Sequence, residues 1–172
     1  MSPSARLPAL LPLLTAALAL TLATVCTIGC ASTPPANAHP SGGKPEQAQF
    51  APELGIALEG MERRPSGVYV QDVRVGEGPV ARDLGRLAVF YRVWLPEGTR
   101  VDVRQPPNEP FRFQLGMRES IPGWETGLPG MKLGGVRRLV VPAALAYGTR
   151  GSPPNIPPNA VLVFEVELVS VE

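Results

Sequence analysis

Five aromatic side chains stand close to loop segments in the later part of the chain: Tyr91, Phe111, Trp124, Tyr147 and Phe164. No histidine or cysteine falls between residues 66 and 172, because His39, Cys26 and Cys30 all lie earlier. Ser–His triads and thiolate or imidazole metal sites are therefore excluded from that stretch. It also carries no G-x-S-x-G, H-E-x-x-H, C-x-x-C or phosphate-binding glycine loop. The remaining carboxylates, such as Glu165 and Glu167, mostly alternate with apolar residues and read as solvent-facing. Two readings stay open for the aromatics. They form a core and nothing more, or some of them belong to a functional site.

Strands must position them. Leu87, Val89, Tyr91, Val93 and Leu95 alternate with Ala88, Phe90, Arg92 and Trp94, a period of two that places Tyr91 on the more aliphatic face. Phe111, Phe113 and Leu115 alternate in the same way, as do Leu162, Phe164, Val166 and Leu168. Further strands are expected at Val68 to Val75, from Val101 to Val103, and from Val136 to Val141. Ile121, Trp124 and Leu128 instead share one face at helical spacing, with Pro122 suited to a first turn. Gly123 and Gly127 interrupt this short helix, expected over about 121–129, and each costs roughly 1 kcal/mol relative to alanine. Such a helix does not stand alone in water. The expected fold class is α+β: an antiparallel sheet of five to six strands curled around one short helix.

The 172 residues carry a formal net charge of +1, so no strong field points to nucleic acid. Residues 1–30 read as an export signal, with an apolar run from Leu7 to Ile28; a permanent membrane span is the second choice. Gly29-Cys30-Ala31-Ser32 is similar to a bacterial lipoprotein cleavage box, which would make Cys30 the lipidated residue, although Thr27 stands where that pattern prefers leucine. The rival is ordinary cleavage at Ala36-Asn37-Ala38, releasing a soluble periplasmic or secreted protein. Residues 31–65 read as a flexible tether followed by a short arm. From Phe50 to Met61 that arm is either an amphipathic turn or a docking segment, able to mediate a dimer or cover a sheet edge. Gly76-Glu77-Gly78-Pro79-Val80-Ala81 formally matches a dinucleotide motif, but Pro79 forbids the helix that must follow, so it reads as a turn. The stretch 142–160 is long for a loop in a compact domain and is expected to be functional.

The order and spacing of Ala88-Val89-Phe90-Tyr91, Val101-Asp102, Pro110-Phe111-Arg112-Phe113, Ile121-Pro122-Gly123-Trp124, Ala146-Tyr147-Gly148, Ile156-Pro157-Pro158-Asn159-Ala160 and Leu162-Val163-Phe164 resemble the FKBP-type peptidyl-prolyl cis-trans isomerases over about residues 66–172. The resemblance implies a shallow apolar pocket with Trp124 as its floor and Tyr91, Phe111, Ile121 and Phe164 in its walls. It implies that the Ile121 N–H and the Tyr147 hydroxyl bind substrate carbonyls, that Asp102 points a polar group inward, and that the loop around Ile156 closes one side. Val101 and Ser120 are expected among the substrate-binding residues with Phe111 and Ile156. Implied partners are proline-containing polypeptides of the cell envelope and macrolide ligands, with a membrane reached through the lipid anchor and no nucleic acid. Three positions depart from the family pattern: Val101 replaces a phenylalanine, Pro107 stands near the place of an arginine that pairs with the acid, and Ser152 stands near the place of a histidine. A prolyl-peptide binding module or holdase with little turnover, and a structural lipoprotein whose aromatics are only core, are the rival functions.

Overall fold

The computed structural model describes residues 42–172. The expected export signal, Cys30 and the alternative cleavage site expected near Ala38 lie outside the described residues. Seven strands form one sheet: β1 (Glu62–Arg63), β2 (Tyr69–Arg74), β3 (Arg86–Trp94), β4 (Arg100–Arg104), β5 (Phe111–Gln114), β6 (Val136–Val141) and β7 (Leu162–Val171). All pairings are antiparallel, in the order β1-β2-β6-β7-β3-β4, with β5 also pairing β3. The one α-helix among the described residues is α1 (Pro122–Gly127). The α+β expectation holds, with the two-residue β1 as a strand beyond the six anticipated. Among the described residues no helix is long and apolar enough to cross a membrane.

Alternation along the strands divides the apolar residues between two faces. Val68, Val89, Leu139, Phe164, Val166 and Leu168 pack with Trp124, Leu128 and Met131 of the helical segment into the main core. Their strand neighbours Tyr69, Trp94, Val140 and Val163 belong to a second cluster on the opposite face, completed by Leu54 and Met61. The arm is therefore a cover for the outer face of the sheet. Short 3-10 turns at Pro45–Gln47, Pro52–Leu54 and Leu58–Gly60 carry it across. Ala51 N–H donates to the Pro96 carbonyl at 2.8 Å, which fastens the arm to the turn after β3. Residues 45–47, which the sequence places in the flexible tether, are docked: Pro45 is buried and Glu46 accepts from the Tyr69 hydroxyl at 2.8 Å. Tether composition lacks apolar periodicity, so this docking has no local signature.

The two helical glycines are explained by proximity. A Cβ on Gly123 would collide with Val141 Cγ1, and one on Gly127 would lie 2.9 Å from Leu139 Cδ2. The helix thus lies directly on β6, closer than any side chain permits. Gly76 likewise runs against the Leu133 carbonyl, a backbone crossing that accounts for the glycine-rich motif without any nucleotide.

What holds the far end of this helix is Arg137, only 4 % exposed. Arg137 is in phase with Leu139 and Val141, so β6 aims it at the helix rather than at solvent. Its Nε and Nη2 donate to the two oxygens of Asp72, its cross-strand partner, at 2.6 and 3.0 Å. Its Nη1 donates to the carbonyls of Gly127 at 2.9 Å and Pro129 at 3.1 Å. A cation there satisfies carbonyls that a helix terminus leaves unpaired and complements its dipole. Arg137→Met keeps the apolar stem but strands those carbonyls and Asp72. We expect it to lower stability by about 3 kcal/mol in urea unfolding; a loss below about 1 kcal/mol would show that the guanidinium does not hold the helix.

Candidate functional site

A cavity of about 470 Å³ opens at the N-terminal end of α1. Strands β3, β4, β5 and β7 supply Tyr91, Asp102, Phe111 and Phe164, and the helical segment supplies Ser120, Ile121 and Trp124. Tyr147 and Ile156 come from the loop between β6 and β7. Nine of the ten pocket positions proposed from sequence thus line one cavity. Val101 does not. The β3–β4 register slips between Val93 and Trp94, leaving Val101 without a cross-strand partner beside Asp102. It packs on the main core, and its carbonyl accepts from Asn155 Nδ2 at 3.4 Å. Its link to the site is this tie to the loop.

Trp124 is floor and core plug at once. It is 4 % exposed and belongs to the main core, yet it lines the cavity. Its ring meets Tyr91, Phe111 and Phe164 edge to face at centroid separations of 5.3, 6.0 and 5.5 Å, and Phe113 at 5.7 Å. Such contacts favour one arrangement of rings over simple apolar filling. Its buried Nε1 has no partner among the described residues.

Proline dictates the local geometry of Ile121. A residue before proline is driven out of the helical region, and Ile121 is extended (φ −65°, ψ 148°) while its carbonyl accepts the Trp124 N–H at 2.9 Å. The Ile121 N–H precedes the helix and is engaged by no other described residue. The loop leading to it is fastened: Ser120 Oγ donates to Glu125 at 3.0 Å, the Gly116 N–H donates to the same carboxylate, and the Gln114 N–H donates to Glu119 at 2.8 Å. The Tyr147 hydroxyl is also without a partner among the described residues, and the residue is 42 % exposed. Its loop turns back through paired hydrogen bonds between Ser152 and Ile156.

Asp102 is not left unpaired by the absence of an arginine at Pro107. Its Oδ2 accepts the Tyr91 hydroxyl at 2.8 Å and its Oδ1 accepts the Val103 N–H at 2.7 Å. The register makes this possible, because Asp102 lies opposite Val93 and diagonal to Tyr91. Burial, followed by the bond to Asp102, pushes the Tyr91 phenol up to about 12; burial also raises Tyr147. Both hydroxyls therefore remain donors at and above neutral pH.

Val93, Arg118, Glu119, Pro122 and Ala146 also line the cavity and were not anticipated. Val93 is in phase with Tyr91, and Ala146 and Pro122 adjoin motif residues, so the sequence held a signal for those three. Nothing local marks Arg118, which adopts a left-handed φ of 57° in the loop before the helix. Among the described residues no group of histidine, cysteine, aspartate or glutamate could hold a metal ion.

A folded-state phenol pKa above the ordinary 10 stabilises the fold below pH 10, and that contribution is lost as pH rises through about 12. Wild type should therefore lose its stability advantage over Tyr91→Phe between pH 10 and 12. Urea midpoints of both proteins across that range, read beside tyrosinate absorbance, measure it; a difference constant with pH would contradict the assigned environment.

Comparison with known proteins agrees with this geometry. The family model described as FKBP-type peptidyl-prolyl cis-trans isomerase matches residues 78–169, more than half of the chain. The "46 kDa FK506-binding nuclear protein" of Spodoptera frugiperda is 45 % identical over 106 residues, covering 62 % of this chain but 26 % of that protein. The first relatives matched are thus much longer than the shared region. The "FK506-binding protein" of Neisseria meningitidis serogroup B is 39 % identical over 105 residues, covering 61 % of this chain and 96 % of that one. The crystal structure of FkpA from Escherichia coli superposes with a TM-score of 0.61 at 38 % identity, covering 70 % of this chain and 55 % of that one. With the same fold, an aromatic cavity at the helix N-terminus and a family match across both, the chain belongs to the FKBP-type peptidyl-prolyl cis-trans isomerase family.

Proposed function

We propose that this protein accelerates cis–trans rotation of X–Pro bonds in folding polypeptides. The observation that carries this reading is the pairing of two unengaged donors, the Ile121 N–H and the Tyr147 hydroxyl, with an apolar cavity floored by Trp124. An imide bond is planar because nitrogen shares its lone pair with the carbonyl, and the barrier to rotation is roughly 20 kcal/mol. Twisting removes that resonance and with it part of the carbonyl's charge. Water favours the polar planar form, whereas walls made by Tyr91, Phe111, Trp124 and Phe164 favour the less polar twisted one. The two donors hold the peptide while the bond turns. Each tenfold acceleration needs about 1.4 kcal/mol of preference for the twisted state. Rotation makes and breaks no covalent bond, so the chemistry asks for no nucleophile.

A proline-limited refolding or peptide isomerisation assay tests this. Wild type should catalyse, Tyr147→Phe should lose roughly fivefold, the worth of one hydrogen bond, and Trp124→Ala, checked for folding by circular dichroism, should be near background. Wild-type rates equal to that control would refute catalysis. Val101 in place of an aromatic wall residue favours a second reading, a prolyl-peptide binding module or holdase; binding without turnover would select it. Relatives named for FK506 make macrolides the ligand class for a competition experiment.

The clients we assign are exported polypeptides, with the protein held in the cell envelope by lipid on Cys30. The apolar run from Leu7 to Ile28 ending in Gly29-Cys30 supports this, as does likeness to bacterial relatives. Radiolabelled lipid should enter wild type and not Cys30→Ser; a mature N-terminus at His39 would instead establish ordinary cleavage and a soluble envelope protein.

A further inference from the structure

The loop that brings Tyr147 and Ile156 to the cavity is closed at its base by a relay of backbone hydrogen bonds that starts outside the loop. The Ala143 N–H donates to the Gly43 carbonyl at 3.0 Å. The Gly148 N–H donates to the Ala143 carbonyl at 2.8 Å, and the Asn159 N–H donates to the Gly148 carbonyl at 2.9 Å. Gly43 touches both ends of the loop. It adopts a φ of 82°, and a Cβ there would lie 3.2 Å from Ala143 Cβ and 3.8 Å from Asn159 Cβ. Behind Gly43 the arm is anchored: Pro45 is buried, Glu46 accepts from Tyr69, and Arg63 pairs with Glu46 at 3.5 Å. Tyr147, 42 % exposed, is not fixed by burial, so the loop base decides where its hydroxyl lies.

We infer that the Gly43–Ala143 contact is a positioning element for Tyr147, which makes the N-terminal arm part of the isomerase machinery rather than a spacer. The inference rests on the isomerase reading for its kinetic consequence. It also has a consequence that reading does not share: unseating the arm should loosen the loop-internal hydrogen bonds that protect the amides of Gly148 and Asn159.

The test uses the full chain with Ala143→Pro. Ala143 opens a 3-10 turn, and Pro142 before it is already extended (φ −63°, ψ 150°), as a residue preceding proline must be. The substitution removes the N–H that Gly43 accepts and leaves the Ala143 carbonyl in place. Gly43→Val, strained at positive φ and crowding Ala143, is the second variant. Each should speed amide hydrogen exchange at Gly148 and Asn159 by roughly tenfold or more, with β6 and β7 amides unchanged. Each should lower kcat/KM on a prolyl peptide by roughly threefold to tenfold in wild type, and by less than about twofold in a Tyr147→Phe background, as coupled neighbours do. Equal losses in both backgrounds, or faster exchange with unchanged kcat/KM, would overturn the positioning role. Should Ala143→Pro expose the strand amides, Gly43→Val decides alone. A wild type without turnover would sink the isomerase reading, and the same cycle is then read in peptide affinity.

Discussion

A six-residue helix with two internal glycines has no stability of its own, and its place in this protein depends on a guanidinium. Arg137 reaches from β6 to the carbonyls of Gly127 and Pro129 while gripping Asp72 on the neighbouring strand. Burying an arginine is costly unless nearly all its donors are used, and here both faces of the fork are occupied. The glycines then serve the same end from the other side, letting the helix backbone settle onto Val141 and Leu139. One end of the helix is thereby held to the sheet, and the other is free to present Trp124 and the Ile121 N–H to a cavity.

That division of labour explains how so small a site is kept in order. Pro122 determines the extended conformation of Ile121, and Glu125 gathers Ser120 and Gly116 onto the first helical turn. Tyr91 and Asp102 satisfy each other across β3 and β4. The polar groups of the rim are therefore mostly spent on one another. The donors left over, on Ile121 and Tyr147, suit the carbonyls of a peptide better than any acid–base chemistry.

The sheet is two-sided. Its inner face wraps the helix, and its outer face is sealed by residues that precede the domain in sequence. An antiparallel sheet of this kind commonly leaves one face to solvent; here Tyr69, Trp94, Val140 and Val163 make the outer face too apolar for that at one end. The arm that covers them continues to Gly43 and the base of the Tyr147 loop, so shielding the sheet and shaping the cavity are tasks of one segment.

Read alone, the sequence determined the α+β class, the main strands and the short helix, because period two, period 3.6 and turn residues are local signals. The nine cavity-lining side chains were legible only through the resemblance of their motifs to a known family, since periodicity by itself left the aromatics as core or site. Even Arg137 was legible in principle, being in phase with Leu139 and Val141. The tertiary structure alone decided the rest. Val101 stands unpaired beside Asp102 at a register slip that depends on two strands at once, and it packs on the core without lining the cavity. Arg118 entered it at a left-handed turn position that is not itself a glycine. The arm and its grip on Ala143 joined residues a hundred positions apart. Local pattern records which face a side chain takes; only packing across the chain records what meets it there.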